Sequence, residues 1–201
     1  PIRIEPAHWV DWSAWLGAGV DPVAARYPEA RRWVIEPTPA LSIRSTDAWQ
    51  ASHASPWWAR WRRTTPPVIT MDALHPEGWP VDGVQMVWAN MTLHAAADLP
   101  GLLAHWHGLL DTNGFLMCSG LGPDTARELR DLYRALGWPL PTVDFIDMHD
   151  LGDELVKAGF QDPVMDMERL TLTWPDAESM LAELRTWGGN VAVGRHASLR
   201  T

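Results

Sequence analysis

Apolar residues come in short blocks along this chain, separated by stretches of helix length, and that rhythm predicts a parallel α/β sheet. Trp9–Trp12 reads as a first strand, and Val20–Tyr27, ended by Pro28, as the helix after it. Trp33-Val34-Ile35-Glu36 is a short second strand stopped by Pro37. Pro39–Arg44 opens a helix that runs into an irregular segment, Trp49–Arg63. Val68–Thr70 and Val84–Trp88 are the third and fourth strands. Asp98 is placed to cap a helix over Leu99–Leu110, with Pro100 in its first turn. Phe115–Ser119, after Asn113-Gly114, is a fifth strand whose continuous apolar run suits a central position in the sheet. Gly122-Pro123-Asp124 leads into a long helix, Thr125–Leu136, and a further helix, Asp150–Ala158, closes on Gly159. Val164–Met167 and Leu170–Trp174 are strand-like, and Asp176–Trp187 is helical up to Gly188-Gly189.

Composition narrows the classes. With 201 residues, 46% of them hydrophobic, the chain is expected to form one domain, residues 1–201, with a substantial core. No apolar run approaches the roughly 20 residues of a membrane helix, and no charged-then-apolar leader opens the chain. The single cysteine, Cys118, allows no internal disulfide and suits a reducing cytoplasm. The net charge is -9, with the acid concentrated after residue 65, so nucleic acid is an unfavourable partner. Fourteen tryptophans is a high count. Core packing accounts for such indoles most simply, and an aromatic pocket is the alternative.

Chemistry concentrates after the first strand. Trp9-Val10-Asp11-Trp12-Ser13-Ala14-Trp15-Leu16-Gly17 has the outline of a strand turning into a nucleotide-cradling loop, in which glycines let the main chain approach a ligand. His105 and His107 are two apart on one predicted helix, so they make a poor metal pair, and no cluster has metal-ligand spacing.

Several strings, in order, resemble the class I S-adenosylmethionine (SAM) methyltransferases, and within them the malonyl-acyl-carrier-protein O-methyltransferases of biotin synthesis. They are Tyr27-Pro28-Glu29-Ala30, Val87-Trp88-Ala89-Asn90-Met91-Thr92-Leu93-His94, Gly114-Phe115-Leu116-Met117-Cys118-Ser119, Gly122-Pro123-Asp124-Thr125 with Glu128-Leu129-Arg130, and Asp150-Leu151 to Ala158-Gly159-Phe160. The resemblance implies a Rossmann-like, mostly parallel sheet with helices on both faces. It also implies SAM as cofactor, a small-molecule or acyl-carrier-protein-linked acceptor and a cytoplasmic protein. Matched by the interval from Gly17 to Pro28, Asp11, Ser13, Trp15 and Gly17 fall on the family's acid and three glycines; sliding to Gly17-Ala18-Gly19 is the alternative. On this matching Trp15 is the severe substitution and Ser13 the tolerable one.

The same resemblance assigns Glu36 to the ribose hydroxyls and Asp72 and Ala73 to the adenine. It sets Asn90 beside the methyl-donor sulfur, His94 toward the acceptor, and Arg195, with Arg185 as second choice, on the acceptor's carboxylate. Trp57-Trp58-Ala59-Arg60-Trp61-Arg62-Arg63, within a Trp/Arg-rich stretch at 49–63, is an insertion or lid. The family's N-terminal lid and final strand are expected to be missing. Two functions follow: methylation of a malonyl-type carboxylate, or a pseudoenzyme that binds a partner, its SAM pocket filled by Trp15.

Overall fold

The computed structural model describes residues 4–17, 19–52, 68–70 and 79–186. They form β1 (His8–Trp12), α1 (Ala14–Gly17), α2 (Val20–Arg26), β2 (Arg31–Glu36), α3 (Pro39–Ser52), β3 (Val68–Thr70) and β4 (Val84–Ala89). After a 3-10 turn at Leu93–Ala95 come α4 (Leu99–Leu109), β5 (Leu110–Cys118), α5 (Arg127–Ala135), α6 (Met148–Lys157) and α7 (Ala177–Leu184). Two compact units result: one holds residues up to Thr92 together with His105–Ser119, the other Leu93–Ala104 and everything from Gly120 onward.

The first unit carries a five-stranded sheet in the order β3-β2-β1-β4-β5, so β5, expected at the centre from its apolar run, is an edge strand among the described residues, with none of its residues fully buried. Every strand pair is parallel, with Val10 opposite Trp33 on one side and Val87 on the other. That order places a topological switch point between β1 and β4, where chains leave the sheet in opposite directions and ligands bind at the carboxyl ends.

Parallel strands covered on both faces need apolar side chains on both, and β1, β2 and β4 supply them. Trp9, Val10, Trp12, Trp33, Val34, Ile35, Val84, Met86, Val87 and Ala89 are all buried. Around Trp9, Val23 of α2 and Met86 pack Tyr27, Ala30, Trp88 and Phe115. Trp12 packs elsewhere, against His105 at 5.3 Å and edge-on to Trp106 at 5.8 Å. The indoles of Trp9, Trp12, Trp33 and Trp106 are therefore core, as the simpler reading of the tryptophan content expects.

Several predicted boundaries shift, and two predicted strands do not form. α3 continues through residues 49–52, which were expected to be irregular. β5 begins at Leu110, because Asn113-Gly114 forms an irregularity inside the strand: Val84 pairs with Leu110 but Met86 already with Phe115. α5 starts at Arg127 and not at Thr125, since Ala126 adopts a left-handed backbone (φ 49) and gives the helix no side-chain cap. Val164–Met167 and Leu170–Trp174 are not strands. Their alternation is genuine, but no ladder pairs them, and Val164 and Leu170 remain 93% and 73% exposed.

In the second unit, α6 is capped by Asp147, whose Oδ1 accepts the His149 N–H at 2.9 Å, and α7 by Asp176 through Ser179 at 2.7 Å. Gly159 (φ 103) ends α6, with the Phe160 N–H donating to the Leu155 carbonyl, six-to-one as in a Schellman cap. Asp98 caps α4 as expected, its Oδ1 accepting the Gly101 N–H at 3.1 Å.

Candidate functional site

Three segments meet at the carboxyl ends of β1, β2 and β4 in the first unit. The first is the turn Ser13–Gly17. Ser13 leaves β1 with a left-handed backbone (φ 53), its N–H donating to the Ile35 carbonyl at 2.8 Å and its own carbonyl accepting from Leu16 and Gly17. This closes the single helical turn α1. Gly17 then lies so near β4 that a Cβ there would stand 2.7 Å from the Asn90 carbonyl oxygen. Gly19 (φ +78) begins α2. Close approach at Gly17 and positive φ at Gly19 are where this loop requires glycine.

The second segment is the end of β2. Glu36 is wholly buried, and its Oε1 accepts the Trp15 backbone N–H at 2.9 Å and the Ser45 hydroxyl from α3. Its Oε2 is buried and accepts no hydrogen bond among the described residues. Burial pushes the Glu36 pKa up, while the Ser45 and Trp15 hydrogen bonds and the Arg32 charge oppose the rise.

The third is the end of β4. The Asn90 side chain donates from Nδ2 to the Gly17 carbonyl, and its Oδ1 accepts the Ser119 hydroxyl at 2.9 Å. Ser119 Oγ in turn accepts the Met91 N–H at 2.8 Å. Asn90 thus ties the loop after β1 to the ends of β4 and β5. The buried Nε1 of Trp88 and Oγ1 of Thr92 have no hydrogen-bond partner among the described residues. Trp88 Nε1 is 3.7 Å from where a Cβ on Gly19 would stand, and Thr92 Cγ2 is 3.7 Å from one on Gly17.

Trp15 does not join the core. Its indole is 42% exposed, with the Arg44 guanidinium of α3 at 5.8 Å from the ring. Asp11, by contrast, is 1% exposed and paired with Arg32 on β2, which donates from Nε at 3.0 Å and from Nη2 at 2.5 Å. Burial outweighs the pairing and raises the Asp11 pKa to about 6.

The structure therefore brings together Asp11, Ser13, Trp15, Gly17, Glu36 and Asn90. Asp72, Ala73, Arg195 and the stretch 53–63 lie outside the described residues. Arg185, at the end of α7, is exposed. His94 belongs to the second unit, where it stands edge-on to Phe145 at 6.4 Å, its Nδ1 buried and its pKa lowered by burial. Ser45 and Ser119 hold the two central side chains, and sequence reasoning had no signal that singled them out. Among the described residues no group of His, Cys, Asp or Glu has the arrangement of a metal site, and no helix is long and apolar enough to cross a membrane.

Solved structures with this arrangement of strands define the class. The fold is similar to PigF with SAH (TM-score 0.58, 16% identity, 83% of this chain and 49% of that one). It is also similar to an S-adenosylmethionine-dependent methyltransferase from Mesorhizobium loti (TM-score 0.51, 16% identity, 92% and 86%). The fold is that of the class I SAM methyltransferases. No protein-family model matches the chain. It is, however, 36% identical to the malonyl-[acyl-carrier protein] O-methyltransferase of Gallionella capsiferriformans, over 98% of this chain and 67% of that protein. The chain belongs to the malonyl-[acyl-carrier protein] O-methyltransferase family. It spans about two thirds of the length of the curated relatives it matches.

Proposed function

We propose that this chain binds SAM at the switch point of its sheet and methylates the free carboxylate of a malonyl-type acyl group, carried as a thioester on an acyl carrier protein or a small analogue. The observation that carries the reading is Glu36. A fully buried carboxylate with one oxygen saturated and the other unmatched is costly, and a ribose hydroxyl donated to Oε2 would supply the missing bond. The unmatched Trp88 Nε1 and Thr92 Oγ1 add a second reason to expect a polar ligand in this unit.

The residues present fit such a cofactor: Glu36 would hold its ribose, and the Ser13–Gly17 turn, fixed by Asn90, would line its approach. Bound there, SAM supplies a methyl group activated by its sulfonium. The protein's own work is then positioning. An acceptor carboxylate is already ionised at neutral pH and needs no strong base, only alignment and exclusion of water. Asn90 has both ends of its amide engaged, so its part is to hold the loop rather than to move a proton.

A second reading is favoured by the indole of Trp15, which stands at a glycine position of the family when the loop is matched by the interval from Gly17 to Pro28. On that reading the chain is a catalytically impaired relative that binds a partner. Calorimetry with S-adenosylhomocysteine (SAH) on the wild type and on Trp15→Gly separates the two. Micromolar binding by the wild type is the expected result, because the indole is turned toward Arg44. Binding gained only by Trp15→Gly would replace the methyltransferase reading with the second one.

A further inference from the structure

Outside the cofactor site, the second unit holds a buried cation whose counter-charge makes no hydrogen bond to it. Arg130, on α5, has a side chain only 11% exposed. Its Nη1 donates to the Pro123 carbonyl at 2.8 Å and, at 3.4 Å, to that of Thr125. Its Nε is buried with no hydrogen-bond partner among the described residues. Its Nη2 has the Asp144 carboxylate 3.9 Å away, beyond hydrogen-bonding distance, on a side chain that is 87% exposed. Nε and Nη2 share one edge of the guanidinium, the edge that grips a carboxylate with two parallel N–H···O bonds. Here that edge has no such ligand.

Two further unmatched groups belong to the same unit. The Arg130 guanidinium lies 5.8 Å from the centre of the Phe145 ring, and His94 meets that ring edge-on at 6.4 Å. His94 Nδ1 is buried without a partner, and so is the hydroxyl of Thr142, three residues before Phe145. A cation, an imidazole and a hydroxyl, each short of a hydrogen bond, thus come from α5, the turn at Leu93–Ala95 and the segment leading to α6. Burial keeps the imidazole neutral at physiological pH, with a single N–H to give.

We propose that Arg130, with His94 against the same Phe145 ring, is the recognition site for a ligand carboxylate, namely the free carboxylate of the malonyl-type acyl group. The assignment rests on the acceptor reading above. It moves the carboxylate-binding role from Arg195 and Arg185 to a residue of the Glu128-Leu129-Arg130 string. Asp144 is the loose counter-ion that an incoming carboxylate displaces, so it weakens binding instead of supporting it.

The test is calorimetry on the purified protein with malonyl-CoA, acetyl-CoA and SAH, using wild type, Arg130→Gln and Asp144→Asn. Wild type is expected to prefer malonyl-CoA. Arg130→Gln should weaken malonyl-CoA about ten- to hundredfold, the loss of a charge-assisted pair, with acetyl-CoA and SAH unchanged. Asp144→Asn should tighten malonyl-CoA about twofold or more, by removing a competing like charge. Arg130 also holds two backbone carbonyls, so circular dichroism checks the fold of its variant; if that fold is lost, Asp144→Asn decides alone, and an unchanged affinity overturns the site. Malonyl-CoA binding that ignores both substitutions overturns the assignment of Arg130 and leaves the acceptor reading standing. A wild type that treats malonyl-CoA and acetyl-CoA alike overturns both. SAH binding reports separately on the cofactor reading.

Discussion

The buried pair of Asp11 and Arg32 makes a prediction about acid that runs against the usual expectation for a salt bridge. A carboxylate taking two guanidinium hydrogen bonds ordinarily titrates low, and its stabilising effect is lost as the pH falls. Asp11 is 1% exposed, and burial in the strand centre costs its charged form more than Arg32 returns. The carboxyl is raised from the ordinary 3.8 to about 6. At about 1.4 kcal/mol per unit, that gap amounts to about 3 kcal/mol. The native state holds the proton more tightly than the unfolded chain. The contribution of this group to stability is therefore complete below pH 3.8 and is lost as the pH rises through about 6. Urea unfolding at several pH values between 4 and 7, on wild type and on Asp11→Asn, isolates it. Glu36, also raised, adds to the wild-type slope, while Asp147 and Asp176, both lowered by hydrogen bonds to the helix starts they cap, oppose it. Asp147 and Asp176 persist in the variant, while Glu36 is coupled to Asp11 by charge, so the difference between the two slopes belongs to Asp11 and that coupling. Wild type should gain most of that ~3 kcal/mol relative to Asp11→Asn on going from pH 7 to pH 4. Parallel curves, or a carbon-13 carboxyl resonance of Asp11 that titrates near its ordinary value, would refute the claim that burial outweighs the ion pair.

Two smaller predictions follow from the same unit. Ser13→Gly should stabilise the fold by about 1 kcal/mol, since φ 53 puts a side chain in the left-handed region; a lower urea midpoint would show that the serine side chain contributes more than the strain removes. Cys118 has its thiol pushed up to about 11 by burial at the end of β5, so iodoacetamide at pH 8 should label it at least about a hundredfold more slowly than a free thiol, and labelling at the free-thiol rate would contradict that burial.

The strands were legible wherever the sequence carries an unbroken apolar block, because a parallel strand covered on both faces leaves no other pattern to read. The cap residue Asp98 marked a helix start for a local reason, a side-chain oxygen meeting a free N–H. α5 was misplaced because Ala126 starts it by backbone conformation alone, which composition does not announce. Leu170-Thr171-Leu172-Thr173 reads as a strand by alternation, yet pairing is a tertiary property and no strand among the described residues pairs with it. At the site, Asp11, Glu36 and Asn90 were found because strand ends locate them. Their partners were not, because Arg32, Ser45 and Ser119 are decided by which strands and helices become neighbours. Arg130 stood inside a quoted string, but its unmatched edge exists only once α5 has folded back over Pro123 and Thr125.

The loop after β1 shows most directly what a motif position leaves unsaid. Sequence comparison ranked Trp15 as the damaging substitution and Ser13 as harmless, and for the main chain the order is reversed. Trp15 sits inside the helical turn α1 and is not among the residues with positive φ, so the backbone there asks for no glycine. What glycine would add at position 15 is space alone, and the indole lies half-exposed beneath Arg44. Ser13 is where the chain bends into the left-handed region, the conformation for which the motif's first glycine is suited. Gly17 is retained where a Cβ would strike the Asn90 carbonyl, and Gly19 where φ is again positive. The backbone of this loop therefore has glycine at two of the points that need it, at the cost of strain in one serine at the third. Whether SAM binds is then set by the Trp15 side chain and by the hydrogen bond its N–H makes to Glu36. Trp15→Gly removes the indole and keeps the backbone N–H that Glu36 accepts, which makes SAH binding to that variant the decisive comparison.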